Sequence, residues 1–156
     1  MTISFDEIIT TRERLREIVG GEAGELVSNK VINHIDSICA AFIAQTPFLI
    51  VSTRGADGLI DISPKGDPIG FVKVLDEKTL AIPDRLGNRR HDTFENLLVN
   101  PEVGLFFIIP GNGDTLRISG TGKFVQDKAL QAAMAVHGKE PQFILIVTVE
   151  EAFMHC

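Results

Sequence analysis

Three arginines fall within six residues in the stretch Pro83-Asp84-Arg85-Leu86-Gly87-Asn88-Arg89-Arg90-His91, inside a 156-residue chain whose formal net charge is −6. Local charge opposes global charge here. Arg89, Arg90, the Asn88 amide and the backbone N–H groups of a glycine loop that opens a helix are what a phosphate dianion requires, namely charge-assisted donors converging on several oxygens. The same residues also suit a solvated loop in which the arginines pair with Asp84, Asp92 and Glu95. Composition alone leaves both open. A second stretch, Asp61-Ile62-Ser63-Pro64-Lys65-Gly66-Asp67-Pro68, runs from a strand into a segment that two prolines stiffen and a glycine lets approach a neighbour closely. Ser63 and Lys65 supply donors there. A ring with carbonyl and imide edges needs in-plane hydrogen bonds of this kind, and a cation near its pyrimidine end stabilises a reduced anion. The plainer possibility is a proline-rich connection with an exposed lysine. A third candidate is the polar side of one strand, Thr115, Arg117 and Ser119, because an arginine on a sheet either reaches water or meets an anion.

Other chemistries find little support. The acidic balance argues against binding a nucleic-acid backbone through overall positive charge, and the absence of Trp and Tyr leaves few stacking platforms for bases, Phe71 beside the second stretch being one. Cys39 and Cys156 match no zinc or disulfide spacing, and His34, His91, His137 and His155 show no ligand pattern, so no metal is expected. Neither a nucleophile elbow, a Walker loop nor a dinucleotide fingerprint occurs. The start of the chain does not read as an export signal, and no apolar run is long enough to span a bilayer. Reduced thiols and a cytoplasmic location fit this pattern.

The elements that must position these residues can be read from periodicity. Ser4 followed by Glu7 has the form of a capping box, and Phe5, Ile8, Ile9, Leu15, Ile18 and Val19 recur at helical spacing up to Gly20-Gly21. A second helix is predicted through Ile32, Ile35, Ile38, Cys39, Phe42 and Ile43, fading before Pro47. Two hairpins follow, Phe48–Arg54 with Leu59–Ser63 and Phe71–Leu75 with Thr79–Ile82. Then come a loop at Pro83–Arg90, a short helix at His91–Val99, a strand at Val103–Ile109 apolar enough for burial on both faces, and a long strand at Thr115–Val125. Gly120 and Gly122 predict a bulge in that strand. A helix at Asp127–Val136 and a strand at Phe143–Val149 complete the pattern, with Phe153 and Met154 reading as an interrupted element whose cover is missing. Six to seven mostly antiparallel strands with peripheral helices imply a mainly β barrel in one domain, residues 1–156, with helices over about residues 4–44.

Taken in order, Pro47-Phe48-Leu49-Ile50-Val51-Ser52-Thr53, Asp57-Gly58, Asp61-Ile62-Ser63-Pro64-Lys65-Gly66-Asp67, Ile82-Pro83-Asp84-Arg85, Gly87-Asn88-Arg89-Arg90, Asn100-Pro101 and Thr115-Leu116-Arg117 resemble the pyridoxamine 5′-phosphate oxidase-related FMN-binding proteins. The resemblance spans residues 30 to 150 and implies a split β-barrel that forms a homodimer with FMN at the subunit interface. It assigns Asn88, Arg89 and Arg90 to the phosphate, Ser63, Pro64 and Lys65 to the isoalloxazine, Ile82, Pro83 and Asp84 to the next strand along the ring edge, and Thr115 and Arg117 to a flavin-proximal strand. The vitamin B6 oxidase carries substrate-binding arginine and histidine in a C-terminal segment that has no recognisable version here, so oxidation of pyridoxamine phosphate is not expected. The function implied is an FMN-dependent oxidoreductase acting on a small molecule, with no general acid or base evident. The alternatives are a flavin-binding carrier or sensor without turnover, and a site for a deazaflavin or haem.

Overall fold

The computed structural model describes residues 3–20, 31–85, 87 and 90–155. The chain divides into two units, Met1–Lys30 and Val31–Cys156. In the first, helix α1 (Arg12–Val19) begins later than the apolar spacing predicts. Thr11 caps it by accepting from the Arg14 backbone N–H, while Glu7 is drawn into a fork on the Arg14 guanidinium (2.7 and 2.9 Å) and so does not complete a box with Ser4. Gly20, in the left-handed region at φ 76°, ends the helix. The apolar side chains Ile8, Ile9, Leu15, Ile18 and Val19 are exposed.

The second unit is built around β1 (Val31–Ile32), α2 (Ser37–Gln45), β2 (Phe48–Arg54), β3 (Ile60–Gly66), β4 (Lys73–Asp76), β5 (Thr79–Asp84), α3 (Asp92–Val99), β6 (Glu102–Ile108), β7 (Thr115–Val125), α4 (Lys128–Ala133) and β8 (Phe143–His155). The second predicted helix is therefore shorter at its start. Ile32 pairs with Ala152 as a strand, and Asp36 sets the helix terminus by accepting from the Cys39 N–H at 2.8 Å. Among the described residues there are eight strands, every one antiparallel to its neighbours, in the order β3-β2-β6-β7-β8-β5-β4 with β1 added to β8. β8 carries through Phe153 and Met154, which are strand residues paired with Arg117 and Leu116. Among the described residues no helix is long and apolar enough to cross a membrane.

The core lies inside the curled sheet, where Leu49, Val51, Leu80, Ile82, Phe107, Leu116, Leu145 and Val147 are at most 2% exposed. Each such burial contributes roughly 1.5–3 kcal/mol. Phe71 is part of this core and is no stacking platform. β6 is not buried on both faces as its apolarity suggests: Val103, Leu105 and Phe107 face the core, while Gly104, Phe106 and Ile108 are half-buried on the outside. The register of β7 slips between Ser119 and Gly120, where a Cβ would collide with the Thr148 carbonyl, so the bulge requires glycine.

The Asp36 cap gives a pH-dependent prediction. The Cys39 backbone N–H holds the Asp36 carboxyl below its ordinary range, against a smaller opposing effect of burial, while burial and then the adjacent Asp36 push the Cys39 thiol up to about 11. A depressed carboxylate pKa contributes stability above its unfolded value, about pH 4, and loses it as pH falls through the folded value. Asp36→Ala should cost about 0.5–2 kcal/mol in urea unfolding at pH 7, and the gap from wild type should narrow when the unfolding is repeated near pH 3.

Candidate functional site

β3, one edge of the curled sheet, and β5, which lies next to the other edge strand β4, share no backbone ladder among the described residues. Side chains close the seam instead. Lys65 Nζ on β3 donates to Asp84 Oδ1 on β5 at 2.7 Å, with 21% and 15% of the two side chains exposed. Just beyond the strand ends the signs reverse, and Arg85 Nε donates to Asp67 Oδ2 at 2.6 Å. Arg85 also donates to the carbonyls of Met134 (2.9 Å) and Lys139 (3.2 Å), which ties the end of α4 and the following turn to the same point. A guanidinium with three partners in two segments is a clamp rather than a waiting anion ligand.

A cleft of about 310 Å³ opens at this seam, lined from β3 by Asp61, Ser63, Pro64 and Lys65, from β5 by Asp84, and from the following loop and α3 by Arg90, His91, Asp92 and Phe94. Gln142 and Phe143 at the start of β8 also line it, as do Ile62 of β3 and Arg85. β3 can present polar side chains here because of its register. Asp61, Ser63 and Lys65 pair with Thr53, Val51 and Leu49 and so share the face that β2 turns inward. Its other face carries Ile60 and Ile62, 60% and 65% exposed. α3 is held to this hairpin by its own polar stripe. The Thr93 hydroxyl donates to Asp61 Oδ2 (3.2 Å), Asn96 Nδ2 to Thr53 Oγ1 (3.0 Å) and Asn100 Nδ2 to the Arg54 and Gly55 carbonyls (3.0 and 3.2 Å). Its apolar stripe stacks Phe94 on Phe124 at 3.7 Å between ring centres, with Phe143 edge-on at 5.2 Å and His91 at 5.6 Å.

Of the residues singled out in the sequence, the fold brings Ser63, Pro64, Lys65, Asp84 and Arg90 together in one cleft. Arg90 Nε donates to Asp92 Oδ2 at 2.7 Å in an exposed pair, so the solvated-loop reading and the cleft reading are both present in this arginine. Asn88 and Arg89 lie outside the described residues. Ile82 points into the core at 1% exposure and Pro83 is buried, so both shape the strand behind the cleft without lining it. Thr115 and Arg117 are elsewhere: Thr115 donates to the His155 carbonyl (3.1 Å), and Arg117 lies over the Phe153 ring at 4.7 Å. Missed in the sequence were the aromatic wall of Phe94 and Phe143, which reads as ordinary apolar patterning, and the Asp67–Arg85 and Asp61–Thr93 contacts, whose partners lie 18 and 32 residues apart. Among the described residues no cluster of three or more His, Cys, Asp or Glu is placed to hold a metal.

An antiparallel sheet curled round a core, with its seam closed by side chains and a cleft at that seam, is a split β-barrel. The chain belongs to the pyridoxamine 5′-phosphate oxidase family, whose sequence profile matches residues 35–156. No curated protein matches the sequence. Among solved structures, the chain is similar to HupZ of Group A Streptococcus (21% identity, 77% of this chain and 93% of that one, TM-score 0.61). It is also similar to a proposed pyridoxamine 5′-phosphate oxidase of Lactobacillus delbrueckii (19%, 78% and 95%, 0.60) and to an FMN-binding protein of Syntrophomonas wolfei (13%, 93% and 94%, 0.56). At these identities the likeness is one of fold.

The clamp is testable without a ligand. Arg85→Ala leaves the 12%-exposed Asp67 carboxylate and two carbonyls without their donor. Allowing for partial solvent screening, it should destabilise the fold by about 1–3 kcal/mol, and hydrogen exchange should rise in the 134–142 segment before it rises in β7. A uniform increase across the sheet would contradict the clamp.

Proposed function

We propose that this chain binds FMN in the seam cleft and serves as an FMN-dependent oxidoreductase for a small-molecule substrate, working as a homodimer in the cytoplasm. The observation that carries this reading is the gathering of Ser63, Lys65, Asp84 and Arg90, taken from two separate stretches of sequence, around one cleft in a chain of this family. The residues suit the group: an aromatic wall for a flat ring, polar side chains along a strand for its carbonyl and imide edge, and an arginine loop for its phosphate. The likeness to the FMN-binding protein of Syntrophomonas wolfei supports it. When bound, FMN would supply hydride acceptance and donation. The chain's own work would be to anchor the phosphate through Asn88, Arg89 and Arg90, to orient the ring edge through Ser63 and Lys65, and to keep Phe94 and Phe143 as an apolar wall that limits water.

Two observations favour a second copy as the missing wall. The cleft volume sits at the low end for a ligand of this size. The outer sheet face is apolar where a soluble surface is ordinarily polar: Ile60, Ile62, Ile50, Phe48, Phe106 and Ile108 are joined across the ladders to Thr115 and Arg117. Burying that face against a second copy would place Thr115 and Arg117 at the interface, and the family resemblance puts both on a flavin-proximal strand.

Titration of FMN into ligand-free protein, followed by absorbance and by mass spectrometry of the bound ligand, tests the assignment. Arg89→Ala together with Arg90→Ala should weaken FMN by about 100-fold or more, the loss of two charge-assisted contacts, while riboflavin binding and thermal melting stay near wild type. Equal loss of riboflavin would contradict the phosphate role. Anaerobic bleaching by NADH or NADPH marks turnover, and bound colour without bleaching marks a carrier or sensor.

The dimer has its own measurement. Ile60→Asp, on the outer face and outside the cleft lining, should convert a two-chain species to a monomer in light scattering and weaken FMN binding with it. A wild-type protein that is monomeric yet holds FMN would contradict the shared site.

A further inference from the structure

Resting on the FMN reading above, we propose that Asp84 determines the charge presented to the ring: it positions Lys65 in the cleft and offsets its ammonium, so the ring meets an oriented N–H donor in place of an uncompensated cation. The two side chains come from strands that share no ladder, so their contact at 2.7 Å is what places the ammonium. Both line the cleft, and both are mostly buried, which weakens solvent screening of whatever charge remains. The other carboxylates nearby are engaged elsewhere: Asp67 by Arg85, Asp92 by Arg90, and Asp61 by the Thr93 hydroxyl. Asp84 is thus the counter-ion of Lys65 among the described residues. An ammonium has three N–H donors, of which Asp84 takes one, so Lys65 keeps donors for a carbonyl or imide oxygen.

Two-electron reduction of a flavin takes up two electrons and one proton, which leaves one negative charge on the ring that the oxidised form lacks. A lone buried ammonium nearby would favour that anion. An ammonium already joined to a carboxylate acts as a short dipole whose field falls off faster, so the pair should hold the preference for the reduced ring low. Asp84 is on this account a positioning residue, and the quantity it controls is the relative affinity for reduced and oxidised FMN.

The test is the midpoint potential of bound FMN, measured by dithionite titration against a reference dye in wild type and three variants. Asp84→Asn, which leaves the ammonium uncompensated, should raise the preference for reduced FMN about tenfold, equivalent to about 30 mV for a two-electron couple. Lys65→Met, which leaves the carboxylate alone, should move it by a similar factor in the opposite direction. Lys65→Met with Asp84→Leu removes the pair without stranding a charge, folds on the strength of its apolar packing, and should stay within about threefold of wild type. An Asp84→Asn potential equal to wild type would overturn the inference, as would a double variant that falls as far as Lys65→Met. If wild type binds no FMN, the functional reading itself fails and takes this inference with it, whereas bound FMN with an unmoved potential sinks the inference alone.

Discussion

Where the curled antiparallel sheet brings its edge strand β3 up to β5 without a backbone ladder, the contact must be held some other way, and here the holding is electrostatic. Lys65 reaches from β3 to Asp84 on β5, and Asp67 takes Arg85 from the other side, so the seam carries two ion pairs of reversed polarity. Partly sheltered pairs of this kind contribute little net stability when compared with apolar packing, because desolvation offsets attraction. Their value lies in geometry. An apolar closure would leave no polar surface at the seam, and a backbone ladder would leave no gap. Charged side chains of unequal length leave both, and the cleft occupies that gap.

The seam also accounts for the reversed polarity of β3. A strand at the rim of a core ordinarily turns its apolar residues inward, yet β3 turns Asp61, Ser63 and Lys65 to the face that β2 buries, and leaves Ile60 and Ile62 exposed. Register decides this, because cross-strand partners share a face and the hairpin places Ser63 opposite Val51. Of the inward polar side chains, Asp61 is partnered by α3 and Lys65 by β5, and no side-chain nitrogen or oxygen buried among the described residues lacks a partner. The outward isoleucines continue an apolar surface running through Ile50 and Phe106 to Arg117 and Phe153. Cleft and apolar face are two sides of the same strand. On the proposed reading the cleft and this face are coupled, since any shift of β3 alters both.

Much of the fold was legible beforehand, though unevenly. Phe48–Arg54, the turn at Gly55–Gly58, the long Thr115–Val125 strand and its bulge near Gly120 follow from period-2 alternation and glycine placement, which are local properties. Element starts were less legible. The apolar spacing through Ile32 and Ile35 suits a helix, but pairing of Val31 and Ile32 with β8 recruits them to the sheet, and Asp36 then sets where the helix begins. Likewise, α1 starts at Thr11 because Glu7 finds a better partner in Arg14 than in a cap. Both differences arise from partners that only the folded chain supplies.

For the site, the sequence by itself determined the chemical inventory: an arginine-rich segment after a strand, a Ser-Pro-Lys stretch at the end of another, and an order of motifs that identifies the family. It did so because donor type, charge and local backbone preference are written in short stretches of chain. Only the tertiary structure decided how these were used. It spent Arg85 on a clamp, buried Ile82, set Thr115 and Arg117 on an outer face, and made a wall of Phe94 and Phe143. These outcomes depend on which residues meet across a seam of strands distant in sequence, and on which face a register turns inward, and neither is a property of any local segment.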